Sequence, residues 1–278
     1  TPKPSSAASD VYKRQVYFYE LALKVGIEKI TNIARRFGLG TAHDIPMSGV
    51  ASGLTPDKNW KRLNRGRDWV VGDTVNAAIG QGYVLTSPLQ LVVMAARLAS
   101  GKSVVPRLIK KIDGIEQPNR QDPPLDLQDE HLQQIRKAMY QVSNNRRGTA
   151  YRSRIIDAKF RLAGKTGTSQ VRNITEAERK RGVTKNSDLP WKRRDHALFV
   201  NFAPFDAPKI AVAVVVEHGG GGSTTAAPIA RDITLQALYD GDPPLSAYPA
   251  KDRSKIKAQR QELQKLRQPF QSSRKSKV

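Results

Sequence analysis

The spacing of apolar residues divides this chain into helical and extended stretches. From Val16 onward, Tyr17, Leu21, Val25, Ile30, Ile33 and Phe37 recur at helical spacing, with an interruption at Gly26 and a stop at Gly38 and Gly40. Residues 41–72, punctuated by Pro46, Gly49, Gly53, Pro56 and Gly66, read as loop. A clear helix starts at Ser87-Pro88-Leu89-Gln90: an N-cap hydroxyl, a proline at the first helical position, and a glutamine able to bond back. Its body, residues 89–98, is apolar nearly all round and should be buried. Residues 104–112 suggest a short strand, 118–124 a linker and 128–142 another helix. Strands follow at 161–171, 196–202 and 209–216. Pro204-Phe205-Asp206-Ala207-Pro208 suits a tight antiparallel connection. The glycines 219–222 break the last strand, and residues 228–239 return to helical spacing. Helices and an antiparallel sheet sharing one core predict an α+β fold, without internal repeats.

Two segments fall outside that pattern. Residues 1–15, TPKPSSAASDVYKRQ, have no apolar period and resemble a translated sequencing adapter, so they are set aside as a non-native leader. Residues 16–249 form the expected domain, and residues 250–278 a basic tail. Net charge is +22, and residues 251–278 carry ten Lys/Arg against two acidic residues. A solvated, helical or disordered basic tail explains this most simply; attraction to phospholipid headgroups or another polyanion is the sharper reading. Nucleic-acid binding would call for aromatics interleaved with the basic cluster, and only Phe270 stands there.

Other classes are narrowed by composition. Cysteine is absent, which excludes disulfides and thiol catalysis. His43, His131, His196 and His218 show no ligand spacing and read as surface or packing residues, so neither a metal nor a cofactor is expected. No apolar run reaches the roughly 18 residues of a membrane span, and residues 1–15 lack the apolar stretch of a secretory signal. The chain reads as soluble or as a piece of something longer.

The candidate chemistry is Lys165-Thr166-Gly167-Thr168, inside the strand-like run 161–171. Strand alternation places Lys165 and Gly167 on one face and Thr166 and Thr168 on the other. Threonine hydroxyls can bond a substrate carboxylate, and the Lys165 ammonium attracts it. Gly167 leaves room for a second backbone, and an N–H just past it can stabilise an oxyanion. Gly164-Lys165-Thr166 also mimics the end of a phosphate-binding loop. That motif needs a glycine where Lys159 stands. His218 and its four following glycines lack an accompanying Gly-x-Ser-x-Gly and read as a flexible turn.

A Lys-Thr-Gly triplet on a strand is one signature of the serine enzymes that bind penicillin. Its neighbourhood strengthens that likeness: Val16-Tyr17-Phe18-Tyr19-Glu20-Leu21-Ala22, Gly72-Asp73-Thr74, Ile79-Gly80-Gln81-Gly82-Tyr83, Ser87-Pro88-Leu89-Gln90, Arg147-Gly148-Thr149-Ala150 and His196-Ala197-Leu198-Phe199-Val200. In these stretches residues 16–249 resemble the penicillin-binding protein 2 family, class B peptidoglycan D,D-transpeptidases of rod elongation, in an alphaproteobacterial-like form.

The resemblance implies a penicillin-binding transpeptidase or serine β-lactamase-like fold, with a five-stranded antiparallel sheet between helical layers. It implies a serine acylated by the stem peptide's penultimate D-Ala, and by β-lactams, before transfer to an amine. Lys165 would belong to the active-site strand. Thr166, Gly167 and Thr168 would form the substrate- or penicillin-binding wall, with the Thr168 N–H as an oxyanion donor. The implied partners are stem peptides, β-lactams and an elongation glycosyltransferase, at the periplasmic side of the inner membrane, with no nucleic acid. A related D,D-carboxypeptidase or β-lactamase-like hydrolase is the alternative enzyme.

The chain departs from that pattern at its start. The family's Ser-x-x-Lys nucleophile motif and its Ser-x-Asn motif belong before Val16, where Lys13-Arg14-Gln15 stand, and both are expected to be missing along with the membrane anchor. The chain therefore reads as N-terminally truncated and inactive alone. Ser254-Lys255-Ile256-Lys257 and Ser272-Ser273-Arg274-Lys275 match Ser-x-x-Lys by chance in a Ser/Lys-rich tail, and Ser143-Asn144-Asn145 reads as a helix-end turn. Residues 172–195, with eight Lys/Arg and four acidic residues, form either a solvated loop or one beside the cleft that helps hold a glycan or partner.

Overall fold

The computed structural model describes residues 6–118, 121–172, 175–239 and 241–272. They fall into two compact units, Thr1–Gln128 and Asp129–Val278.

The first unit is mainly helical. Helix α1 (Ser6–Val25) is separated from α2 (Ile27–Arg36) by Gly26 at a positive φ of 83°. The helix extends upstream of Val16 to Ser6, because residues 6–15 contain no proline or glycine to stop it. Residues 41–72, expected as loop, contain α3 (Lys58–Arg65) and the first residues of α4 (Val71–Ala78). Strong caps hold these short helices. The Asp57 carboxylate accepts the Trp60 N–H at 2.7 Å and Gly66 closes α3 in the left-handed region. Asp73 accepts the Val70 N–H at 2.8 Å and pairs with the buried Lys61 ammonium at 2.5 Å.

Helix α5 (Pro88–Ser100) has the expected cap: Ser87 Oγ accepts the Gln90 N–H, and Gln90 Oε1 accepts the Ser87 N–H. The same Gln90, fully buried, donates from Nε2 to the carbonyls of Thr41 and Ser52 at 3.0 and 2.7 Å. One side chain thus caps a helix and ties down two loop segments. The strand expected over 104–112 is present only at its end. Strand β1 (Lys111–Ile112) pairs with β2 (Ile115–Glu116) across Asp113-Gly114, both residues at positive φ. Asp-Gly with two positive φ values is a tight-hairpin signal, and it places the pairing later than the apolar run suggested. Pro124, from the expected linker, forms an isolated bridge with Lys102; residues 119–120 of that linker lie outside the described set.

The second unit holds α6 (Asp129–Asn144), β3 (Ala163–Ser169), α7 (Glu176–Arg181), β4 (His196–Ala203), β5 (Ile210–Val216), α8 (Ala227–Leu238) and α9 (Ala250–Ser272). The sheet order is β3-β4-β5, antiparallel throughout, with Lys165 opposite Val200, Gly167 opposite Leu198 and Phe199 opposite Val214. Helix α6 packs against β3, and α8 against β4 and β5. Ile155, Leu162, Phe199, Val212, Ala230, Leu235 and Tyr248 belong to the core between them. The α+β expectation holds. Of the five strands that the resemblance implies for the whole domain, this sheet shows three among the described residues.

The basic tail begins as a docked helix. Ile256 of α9 is buried, the Arg260 guanidinium donates to the Pro243 carbonyl at 2.6 Å, and Asp252 pairs with the buried Arg231 at 2.5 Å.

Candidate active-site strand

Lys165-Thr166-Gly167-Thr168 lies on β3, which pairs with β4 along one edge and has no other partner strand among the described residues. Two glycines set its fit to the sheet. A Cβ on Gly164 would stand 2.4 Å from the Phe199 ring, so the core aromatic occupies the space a side chain would take. The backbone approaching Gly167 comes from within this unit: a Cβ on Gly222 would stand 2.4 Å from the carbonyl oxygens of both Gly167 and Leu198. The run 219–222, read as a flexible turn, therefore ends in a close-packed contact against the middle of β3 and β4.

The Lys165 ammonium donates to the Thr166 carbonyl at 2.7 Å. Its side chain reaches the surface, yet desolvation by the surrounding protein pushes its pKa below the ordinary lysine value. Thr166 is half-buried, and its Oγ1 stands 3.1 Å from Oγ1 of Thr149, in the turn after α6. Thr168 is exposed. The strand thus carries an ammonium bonded to its own backbone and a threonine hydroxyl paired with the turn after α6.

Thr149 was legible only as part of Arg147-Gly148-Thr149-Ala150. Its approach to β3 depends on packing. A Cβ on Gly148 would collide with the Val142 carbonyl oxygen, the Ala150 N–H donates to that carbonyl at 3.0 Å, and Asn144 donates to the Leu162 carbonyl at 2.9 Å. These contacts hold the turn against the start of β3.

Two of the other serine motifs lie on helices, α6 and α9. Ser143 is fully buried near the end of α6, while Asn144 bonds backbone carbonyls, a helix-end arrangement as expected. Ser254 is exposed on α9. Ser272-Ser273-Arg274-Lys275 runs beyond the described residues.

The described residues of the charged segment 172–195 are tied by side-chain bonds. Arg172 forms a two-pronged pair with Glu178 at 2.6 Å on each side, and the Thr184 N–H donates to the same carboxylate at 3.0 Å. The Arg172 hydrogen bonds, with the Thr184 N–H, pull the Glu178 pKa down to about 2. Asp195 accepts from Val171 N–H just past β3 and from the Asn186 amide. His131 is exposed, and the other three histidines are packed against neighbours or buried. His196 Nδ1 accepts the His218 N–H at 2.9 Å, Trp191 stacks edge-on against His218, and His43 is buried. No group of metal-binding side chains occurs among the described residues.

Residues 11–235 match the penicillin binding protein transpeptidase domain. The chain belongs to that family. Among its relatives is the peptidoglycan D,D-transpeptidase MrdA of Haemophilus influenzae, 35% identical over 84% of this chain and 36% of the relative. MrdA of Salmonella typhimurium is 34% identical over 81% of this chain, again covering 36% of the relative. The chain therefore spans little more than a third of these relatives' length.

Solved structures of the transpeptidase family agree on the fold. Pseudomonas aeruginosa PBP2, in complex with WCK 5153, is 36% identical with a TM-score of 0.69, over 85% of this chain and 49% of that one. Helicobacter pylori PBP2 in complex with MreC is 33% identical with a TM-score of 0.66, over 81% of this chain and 39% of that one. The resemblance read from the Lys-Thr-Gly neighbourhood is thus upheld, as is the transpeptidase fold.

Proposed function

We propose that this chain is the C-terminal part of a peptidoglycan D,D-transpeptidase, and that β3 forms the carboxylate-holding wall of its cleft. The supporting observation is the Lys165-Thr166-Gly167-Thr168 edge strand, with its cation and paired hydroxyls, in a family whose relatives include MrdA. In this reading a serine outside the segment attacks the penultimate D-Ala carbonyl of a stem peptide. That carbonyl's oxygen becomes an oxyanion, received by the Thr168 N–H. The terminal D-Ala leaves with a proton, and an acceptor amine releases the acyl group and restores the serine. Thr166 and Thr168 bind the terminal carboxylate, and Lys165 supplies positive potential. β-Lactams acylate the same serine.

The whole protein would act at the periplasmic face of the inner membrane through an anchor outside this segment, with an elongation glycosyltransferase and an MreC-like protein as partners. No helix among the described residues is long and apolar enough to cross a membrane. In this reading the loop 172–195, tied to the end of β3 by the bond from the Val171 N–H to Asp195, would help hold a glycan or a partner.

Labelled penicillin followed by denaturing electrophoresis tests the reading. The complete protein should carry a covalent label and this chain alone should not, since its Ser-x-x-Lys strings lie in or beyond α9. A labelled band from this chain, or none from the complete protein, overturns the proposal. Stem-peptide turnover with and without an amine acceptor separates a transferase from a hydrolase.

A further inference from the structure

The hydroxyl pair between Thr149 and Thr166 has a direction that matters. Each threonine has a single proton to donate. If Thr166 donates to Thr149, its proton is spent inside the protein. If Thr149 donates to Thr166, the Thr166 proton remains free to point outward. An anionic ligand beside Thr166 selects the second arrangement, because a carboxylate only accepts. The chain of two donors then polarises in one sense and strengthens the outer bond.

The surroundings equip Thr149 for this. The turn bearing it is held by the Ala150–Val142 and Asn144–Leu162 bonds and by the side-chain-free approach of Gly148. Thr149 itself is exposed and Thr166 half-buried, so the pair stands at the surface of the wall. The Lys165 ammonium is bonded to the Thr166 carbonyl and not to its hydroxyl. The Thr166 hydroxyl is therefore oriented from α6's turn, an element distinct from its own strand.

We infer that Thr149 is a positioning residue for ligand carboxylates, donating its hydroxyl proton to Thr166 so that Thr166 donates to the terminal carboxylate of a D-Ala-ended peptide or a β-lactam. This rests on the transpeptidase reading above.

The test uses the complete enzyme with Thr149→Val and Thr149→Ser, against benzylpenicillin and its methyl ester. Valine keeps the shape and removes the hydroxyl; serine keeps the hydroxyl. Thr149→Val should slow acylation by benzylpenicillin about tenfold, with the loss in binding and not in the acylation step. Thr149→Ser should stay within about twofold of wild type. With the ester, which lacks the carboxylate charge, the wild-type and Thr149→Val rates should converge. Equal rates for Thr149→Val and wild type with benzylpenicillin overturn the inference. So does an equal loss with acid and ester, which marks a merely structural role. A wild-type enzyme inert to benzylpenicillin overturns the transpeptidase reading, and this inference with it.

Discussion

Gly222 stands so close to Gly167 that a Cβ on it would meet the Gly167 carbonyl oxygen at 2.4 Å. The obstruction is backbone on both β3 and β4, so no rotamer change can relieve it. The glycine run after β5 is therefore part of what holds the Lys-Thr-Gly-Thr strand in place.

Gly222→Ala should destabilise the second unit by about 1–3 kcal/mol, the usual cost of forcing a methyl into a packed site. Thermal denaturation checks this, with Gly241→Ala for comparison. A Cβ at position 241 meets nothing within 4 Å, so that variant bears only the strain of its positive φ. Equal melting temperatures for the two variants would count against the close packing.

Lys165→Ala in the complete protein should abolish penicillin labelling while leaving the fold intact, because the side chain reaches the surface and makes only a local bond to the Thr166 carbonyl. Labelling electrophoresis and circular dichroism together check this outcome. Full labelling of the variant would remove Lys165 from the assigned role.

The Arg172–Glu178 clamp should respond to acid. Glu178 has its pKa depressed from 4.5 to about 2 in the folded state, so its contribution is complete above pH 4.5 and is lost as pH falls toward 2. Limited proteolysis by pepsin should show residues 172–195 becoming easier to cut across that window. Glu178→Gln should make the loop susceptible already at the upper end, with little change in global melting.

Gln90→Ala should destabilise the first unit by about 2–4 kcal/mol, since it leaves the Thr41 and Ser52 carbonyls without their buried donor and weakens the α5 cap. Urea unfolding measures the loss. An effect below about 0.5 kcal/mol, typical of a surface change, would contradict the buried hub.

Elements with strong local signals were legible in advance. Ser87-Pro88-Leu89-Gln90 announced α5 and its cap, and the apolar runs announced β4 and β5. Helix α3 was missed although Asp57 and Gly66 supply its caps, because the surrounding prolines and glycines dominated the reading. The hairpin at Asp113-Gly114 was missed because a longer apolar run drew the strand upstream.

By itself, the sequence determined the α+β class, the main helices and strands, and the family, because capping residues, apolar spacing and the Lys-Thr-Gly-Thr neighbourhood are local properties of the chain. Only the tertiary structure brought Thr149 to Thr166 across 17 residues and set Gly222 against Gly167. Such contacts follow from how a helix-end turn and a glycine loop pack on a sheet, and no periodicity along the chain encodes that approach.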